Sequence, residues 1–391
     1  MPEREGAATA HLARADPLQL AAFREVVRKF FQTEVTPYYE SWESTGAVPR
    51  ELWRKAGSLG FFGMQVPEEF GGGGGGSFRF NAAITEEAQA AGVGMGAFRL
   101  QGDICIPYFL HVANEEQRAR YLPRLVAGEL IGAIAMTEPD AGSDLRGIRT
   151  SATRGSGHFV LNGAKTFISN GTIADVIIVV AKADPGGDDH GGLTLFLVDR
   201  DMPGVSSGPP FRKLGLHAQD TGEVFLQDVQ VPEGNVLGEV GEGMSYLTRN
   251  LPQERLSIAV SAQASAEATV RRTVDFAKSR RMFSTSLAKF QNTKFEIASC
   301  ATDVAAGRAL LDSAIASFDA GTLTPAEAAM AKLFCSEMQG RVVDRCLQLH
   351  GGAGYMAESH VGRAYGDARV TRIYGGSSEV MKIVVARSLG L

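Results

Sequence analysis

The sequence predicts an α+β protein in three zones: an N-terminal α-helical domain over residues 1–130, a middle antiparallel β domain over 131–242 and a C-terminal α-helical bundle over 243–391. Three observations carry that expectation. From about Pro17 to Gly128 apolar residues recur at helical spacing, as in "LQLAAFREVVRKFFQTEV", "ELWRKAGSLGFFG" and "NEEQRARYLPRLVAG". From about Ile131 to Leu237 the texture changes to short β-branched and aromatic runs such as "ADVIIVVAKAD", "GLTLFLVDR" and "GEVFLQDVQVP". From about Gly243 the helical period returns in long stretches with few breakers, of the kind that pack as a bundle.

Local chemistry refines each zone. Six consecutive glycines, Gly71 to Gly76, rule out helix or strand and predict a flexible loop. Asn162-Gly163 and Asn170-Gly171 are hairpin-turn signals inside the β zone. In "NLPQERLSIAV", Asn250 and Pro252 read as helix-start signals, which puts Glu254 in a first turn.

Composition narrows the function. A formal net charge of −5 argues against a general nucleic-acid binder. Four scattered cysteines without a CxxC pair point to a reducing compartment, the cytoplasm, and to neither a disulfide framework nor zinc. No apolar run is long enough for a membrane span, and the N-terminus has no apolar signal core. Gly92 to Ala97 fits G-x-G-x-x-A but follows a helical stretch, so its context excludes a dinucleotide loop. The histidines show no metal-ligand spacing, and no G-x-S-x-G elbow is present.

Four segments remain, each with a plain structural alternative. "AIAMTEPDAGSDL" leaves a strand for a turn whose Thr137, Gly142 and Ser143 suit a polar planar ligand, or simply a β-turn. In "NGAKTFISNG", Phe167 and Ser169 share a strand face that suits a flat heterocycle, or a half-buried strand. Glu254 is a candidate base, or an acid that complements a helix dipole. "QLHGGAGYMAES" and "RIYGGSSEV" offer backbone donors to phosphate or carbonyl oxygens, or cap helices.

Together these segments are specific. "AMTEPDAGSD", "NGAKTFISNG", "KLGLHAQDT", "LPQERL", "QLHGGAGYM" and "IYGGSSEVMK" occur in the order and spacing of the acyl-CoA dehydrogenase family. The sequence resembles that family from about Pro17 to Leu391, and its long-chain members most of all. The resemblance implies a four-helix-bundle C-terminal domain, bound FAD and a homotetramer built as a dimer of dimers. It implies α,β-dehydrogenation of a medium- to long-chain acyl-CoA to the trans-2-enoyl-CoA, with hydride transfer to flavin N5. Electrons would then pass to an electron-transferring flavoprotein.

The resemblance also assigns residues. Many members carry the catalytic glutamate directly after the tyrosine of the C-terminal turn, where this chain has Gly375. A smaller group carries it on the helix that opens the bundle, and Glu254 matches that place. Arg255 beside it, the Gly375 backbone and Ser143 are implied on the substrate side. Ala135, Met136, Thr137, Ser143, Phe167 and Ser169 are implied flavin contacts. Arg280, Phe283 and Gln291 are implied to reach FAD across a dimer interface; Gln348, Gly351, Gly352, Ser377 and Glu379 are the remaining implied FAD contacts.

Three departures stand out: Phe283-Ser284-Thr285 where the family usually has Phe-Gly-Lys, the six-glycine run, and Ser377 where threonine is commoner. Other readings are a flavin oxidase of the same fold, whose usual form carries a further C-terminal domain, and a branched-chain or steroid acyl-CoA dehydrogenase. A relative that binds acyl-CoA or flavin without catalysis is a third.

Overall fold

The computed structural model describes residues 15–183 and 192–391. The N-terminus read above for a signal segment, residues 1–14, lies outside them. The first zone contains α1 (Pro17–Phe30), α2 (Tyr39–Thr45), α3 (Arg50–Ser58), α4 (Phe78–Ala91), α5 (Gly96–Arg99), α6 (Ile106–His111) and α7 (Glu115–Val126). Asp16 caps α1 by accepting from the Leu18 N–H, and Pro17 sits where its missing N–H costs nothing. Between α5 and α6 the chain winds as a π-helix over Leu100–Cys105, a wide turn that often marks functional sites.

The six-glycine run is an ordered turn, contrary to the flexible loop expected. Gly73, Gly74 and Gly76 donate to the carbonyls of Gly63, Val66 and Met64 at 2.8–2.9 Å. Gly71, Gly74 and Gly75 have φ of 83°, 82° and 100°. A Cβ on Gly72 would lie 2.1 Å from the Val66 carbonyl oxygen. Glycine is required there by conformation and close approach, not by mobility.

The middle zone is one sheet of β1 (Gly132–Ala135), β2 (Ser151–Arg154), β3 (His158–Ser169), β4 (Val176–Ala183), β5 (Leu193–Asp199), β6 (Val205–Ser207), β7 (Thr221–Pro232) and β8 (Val236–Leu237). The order is β6-β7-β3-β2-β4-β5-β8, with β1 also on β4. The antiparallel expectation holds for β3–β7 and β4–β5 but fails for β1–β4 and β2–β4, which are parallel. β3 carries the chain back, so β4 returns in the direction of β2; side-chain alternation carries no information about that direction. Asn162-Gly163 is likewise not a turn. It lies inside β3 at a register shift against β7, where the Asn162 side chain bonds Asp228. Asn170-Gly171 does turn the chain, with Asn170 at φ 58°.

The last zone consists of α8 (Gly243–Ser279), α9 (Gln291–Asp319), α10 (Pro325–His350), α11 (His360–Thr371) and α12 (Ser378–Ser388). α8 packs on α4, α9 and α10, so it ties the first zone to the bundle. Asn250 and Pro252 do not start it. The helix begins at Gly243, and Pro252 lies inside it. Proline removes one backbone hydrogen bond there, and burial of the surrounding face from Leu247 through Val260 holds the helix together. Glu254 is therefore an interior helix residue.

The ordered glycine turn is testable by thermal melts. Gly72→Ala is expected to cost about 2 kcal/mol through backbone overlap, whereas Gly73→Ala, with no neighbour closer than 3.5 Å, stays within about 0.5 kcal/mol. Equal, small effects at both positions would restore the flexible-loop reading.

Candidate active site

Glu254 sits on the face of α8 turned toward α6 and is 4% exposed. Tyr108 on α6 donates its hydroxyl to Glu254 Oε1 at 3.0 Å. Burial pushes the Glu254 carboxyl up to about 7, against smaller downward pulls from the Tyr108 hydrogen bond and the Arg255 charge. A carboxyl poised there is half-ionised near neutrality and a stronger base than an exposed glutamate. Arg255 makes no ion pair with it: its Nε donates to the Gly375 carbonyl at 3.5 Å. Asn250, one turn back, meets His111 Nδ1 at 3.1 Å.

The C-terminal turn is fixed by its carbonyls. Lys332, fully buried on α10, donates to the Gly376 carbonyl at 2.7 Å, beside the Arg255 contact to Gly375. Burial lowers Lys332 to about 8, with Arg255 adding to the shift. A trans peptide directs its N–H opposite to its C=O, so these two contacts turn the Gly376 and Ser377 N–H groups away from the cations. None of the N–H groups of Gly375, Gly376 and Ser377 has a backbone acceptor among the described residues. Gly375 has φ 62°, and a Cβ there would lie 2.3 Å from Ile258 Cδ1.

The β-side segments meet each other. The Thr166 N–H donates to the Thr137 carbonyl at 2.9 Å, and Asn170 Nδ2 reaches the Gly132 carbonyl at 3.2 Å. This brings Ala135, Met136 and Thr137 alongside Phe167 and Ser169. Thr166 and Ile168 are buried, while Phe167 is 68% exposed and Ser169 half-buried. A register shift in β3 and a φ of 58° at Phe167 hold that ring out, 5.6 Å from Phe211. An aromatic held out on a strained backbone, beside hydroxyls at Thr137 and Ser169, fits a planar, hydrogen-bonding cofactor; Ser143 is exposed on the turn that follows Thr137.

The remaining residues lie elsewhere in the chain. Arg280 caps the far end of α8. By helical rise it is about 39 Å along the axis from Glu254. Phe283, 84% exposed, and Ser284 form the two-residue turn between Arg281–Met282 and Thr285–Ser286. Both have positive φ, 46° and 65°, so Ser284 occupies a conformation that favours the family's glycine. Gln291 opens α9; Gln348 lies in the last turn of α10; Gly351 is its positive-φ cap, followed by Gly352. Ser377 caps α12 by accepting from the Val380 N–H, and Glu379 is exposed in its first turn. Within one chain Arg280 therefore lies far from Glu254.

Sequence reasoning missed Tyr108, Lys332 and the pair that anchors the loop after β1. Lys165 Nζ lies 2.8 Å from Glu138 Oε1, with the two side chains 0% and 6% exposed. Glu138 also accepts from the Arg149 and Thr150 N–H groups. Burial opposes its charge, but these hydrogen bonds outweigh it and bring the carboxyl down to about 2. A lysine and a glutamate in alternating strand and turn positions read as surface charges, so no periodic signal betrays them.

The architecture is a helical zone, a middle sheet and a helical bundle, with a buried carboxylate on the helix that opens the bundle. Residues 19–129, 133–229 and 241–390 match the family models described as acyl-CoA dehydrogenase N-terminal, middle and C-terminal domain. The chain belongs to the acyl-CoA dehydrogenase family. It is 44% identical over 369 residues to the long-chain specific acyl-CoA dehydrogenase, mitochondrial, of Rattus norvegicus, covering 94% of this chain and 85% of that protein. An acyl-CoA dehydrogenase structure from Geobacillus kaustophilus superposes with a TM-score of 0.93 at 42% identity, covering 97% of this chain and all of that one. A Bacillus anthracis acyl-CoA dehydrogenase complexed with FAD superposes with a TM-score of 0.89 at 30% identity, covering 97% of this chain and 68% of that one.

Lys165→Met would strand a buried carboxylate. A loss of about 3 kcal/mol in denaturant melts is expected at neutral pH; an unchanged midpoint would contradict the anchoring role.

Proposed function

We propose that this chain is an FAD-dependent acyl-CoA dehydrogenase that converts a medium- to long-chain acyl-CoA to its trans-2-enoyl thioester, with Glu254 as the base that removes the α-proton. The observation that carries this reading is Glu254 itself, buried, bonded to Tyr108 and raised to about 7. When bound, FAD accepts the hydride that leaves the β-carbon. The chain supplies the rest. Glu254 takes the α-proton, while Tyr108 orients the carboxylate by its single hydrogen bond. Charge that gathers on the thioester oxygen meets a backbone N–H of the Gly375 turn, where Arg255 holds the Gly375 carbonyl and with it the peptide that carries the Gly376 N–H. Arg255 thus acts through the turn, and Ser143 lies on the substrate side of the cofactor loop.

Thr137, Ser143 and Ser169 supply hydroxyls to the flavin and Phe167 covers its ring, beside Ala135 and Met136. Arg280, Phe283 and Gln291 serve the dinucleotide of a neighbouring subunit in a homotetramer, and Gln348, Gly351 and Gly352 are further FAD contacts. The roughly 39 Å from Glu254 to Arg280 supports that division of labour. Ser377 and Glu379 contribute at the start of α12. Divisions at 130/131 and 242/243 fit the change from helix to sheet and back. The electron acceptor is an electron-transferring flavoprotein. Among the described residues no helix is long and apolar enough to cross a membrane, and the four buried free cysteines favour the cytoplasm.

Replacing Glu254 by Gln keeps shape and removes the base. Anaerobic flavin reduction by acyl-CoA is expected to slow by about 10²–10⁴-fold with thioester binding retained. Reduction at the wild-type rate would sink the assignment and favour a different base.

A further inference from the structure

A cleft of about 40 Å³ lies between α4, α5 and α8 beside Tyr374 of the C-terminal turn, and charged and polar side chains interrupt its apolar lining. Phe61, Ile84 and Phe98 give it apolar surface. Arg99, Asp103, Ser261, Ser265 and Tyr374 give it polar surface. Ser261 and Ser265 lie on α8 at helical spacing from Glu254, about 10 Å and 16 Å further along the axis. The cleft therefore lies along α8 beyond Glu254.

Arg99 is the unusual group. It is 9% exposed, and its guanidinium donates to Tyr374 Oη at 2.9 Å and to Ser257 Oγ at 3.4 Å. A guanidinium carries more N–H groups than these two contacts use. Asp103, 5% exposed, accepts from Asn81 Nδ2 at 2.7 Å and from Ser257, so it faces Arg99 through a serine and not in a direct ion pair. Burial holds the Asp103 carboxyl above its ordinary range, which weakens its claim on the cation. The result is a nearly buried cation at the wall of the cleft, hydrogen-bonded to the residue next to Gly375, with donors left over. A plain alkyl tail beside it would leave those donors without acceptors, whereas an oxygen on the tail would accept from them.

We propose that the cleft selects acyl-CoA thioesters whose chain carries an oxygen acceptor beyond the reacting carbons, and that Arg99 binds that oxygen. This rests on the dehydrogenase reading above. The test is anaerobic flavin reduction by the wild-type holoenzyme with hexanoyl-CoA, its ω-hydroxy analogue and adipoyl-CoA, repeated with the octanoyl set. A kcat/KM at least about tenfold higher for an oxygenated thioester than for the plain one of equal length is expected. The ω-hydroxy and carboxylate arms tell which oxygen function is recognised. In Arg99→Met the oxygenated thioesters are expected to lose that factor through KM while the plain thioester gains. Equal or faster reaction of the plain thioesters with wild type overturns the proposal and leaves the Glu254 chemistry standing. So does an equal loss on all thioesters in Arg99→Met. Failure of every thioester to bleach bound FAD overturns the dehydrogenase reading and this proposal together. If Arg99→Met does not fold, the wild-type comparison alone decides.

Discussion

The desolvation of one carboxyl organises this site. Glu254 lies within a long helix that the rest of the chain is built around, and its one side-chain hydrogen bond comes from Tyr108. Had the helix started at Asn250, as the sequence suggests, Glu254 would have faced four free N–H groups and a favourable dipole. Both would have stabilised its charge and weakened it as a base. Inside the helix, walled by α6, it receives neither. The misread start of α8 and the raised carboxyl are thus two views of one fact.

The second constraint is the turn at Gly375. Arg255 and Lys332 hold two successive carbonyls, which fixes where the neighbouring N–H groups point. Ile258 fills the space a side chain at position 375 would need, and the left-handed backbone there disfavours one in any case. Ile258 also lies one helical turn after Glu254, on the same face. The residue that closes the turn to a carboxylate and the residue that supplies one belong to a single helical stripe, so base placement and turn geometry are coupled through packing.

Much of this was legible in the sequence. Helical periodicity and the six ordered motifs give the helix–sheet–helix order and the family, and the Asn170-Gly171 turn reads correctly. Strand direction was not legible, because β1 and β2 look alike in composition whichever way they pair. The glycine run was misread because composition reports permitted conformations, not whether each N–H finds an acceptor. Tyr108 and Glu254 are 146 residues apart, and nothing local to either announces the contact. Lys165, Glu138 and Arg99 escaped for the same reason: charged residues in ordinary local patterns reveal burial only in three dimensions.

The account stands or falls on Glu254 being a base whose ionisation Tyr108 controls, and the pH dependence of anaerobic flavin reduction tests that directly. The carboxyl must be ionised to take the proton, so the rate with a saturating acyl-CoA is predicted to rise with pH through a single step near 7. Tyr108 favours the charged form, so Tyr108→Phe is predicted to move that step to higher pH. A flat profile, or a step that moves to lower pH in the variant, would contradict the account.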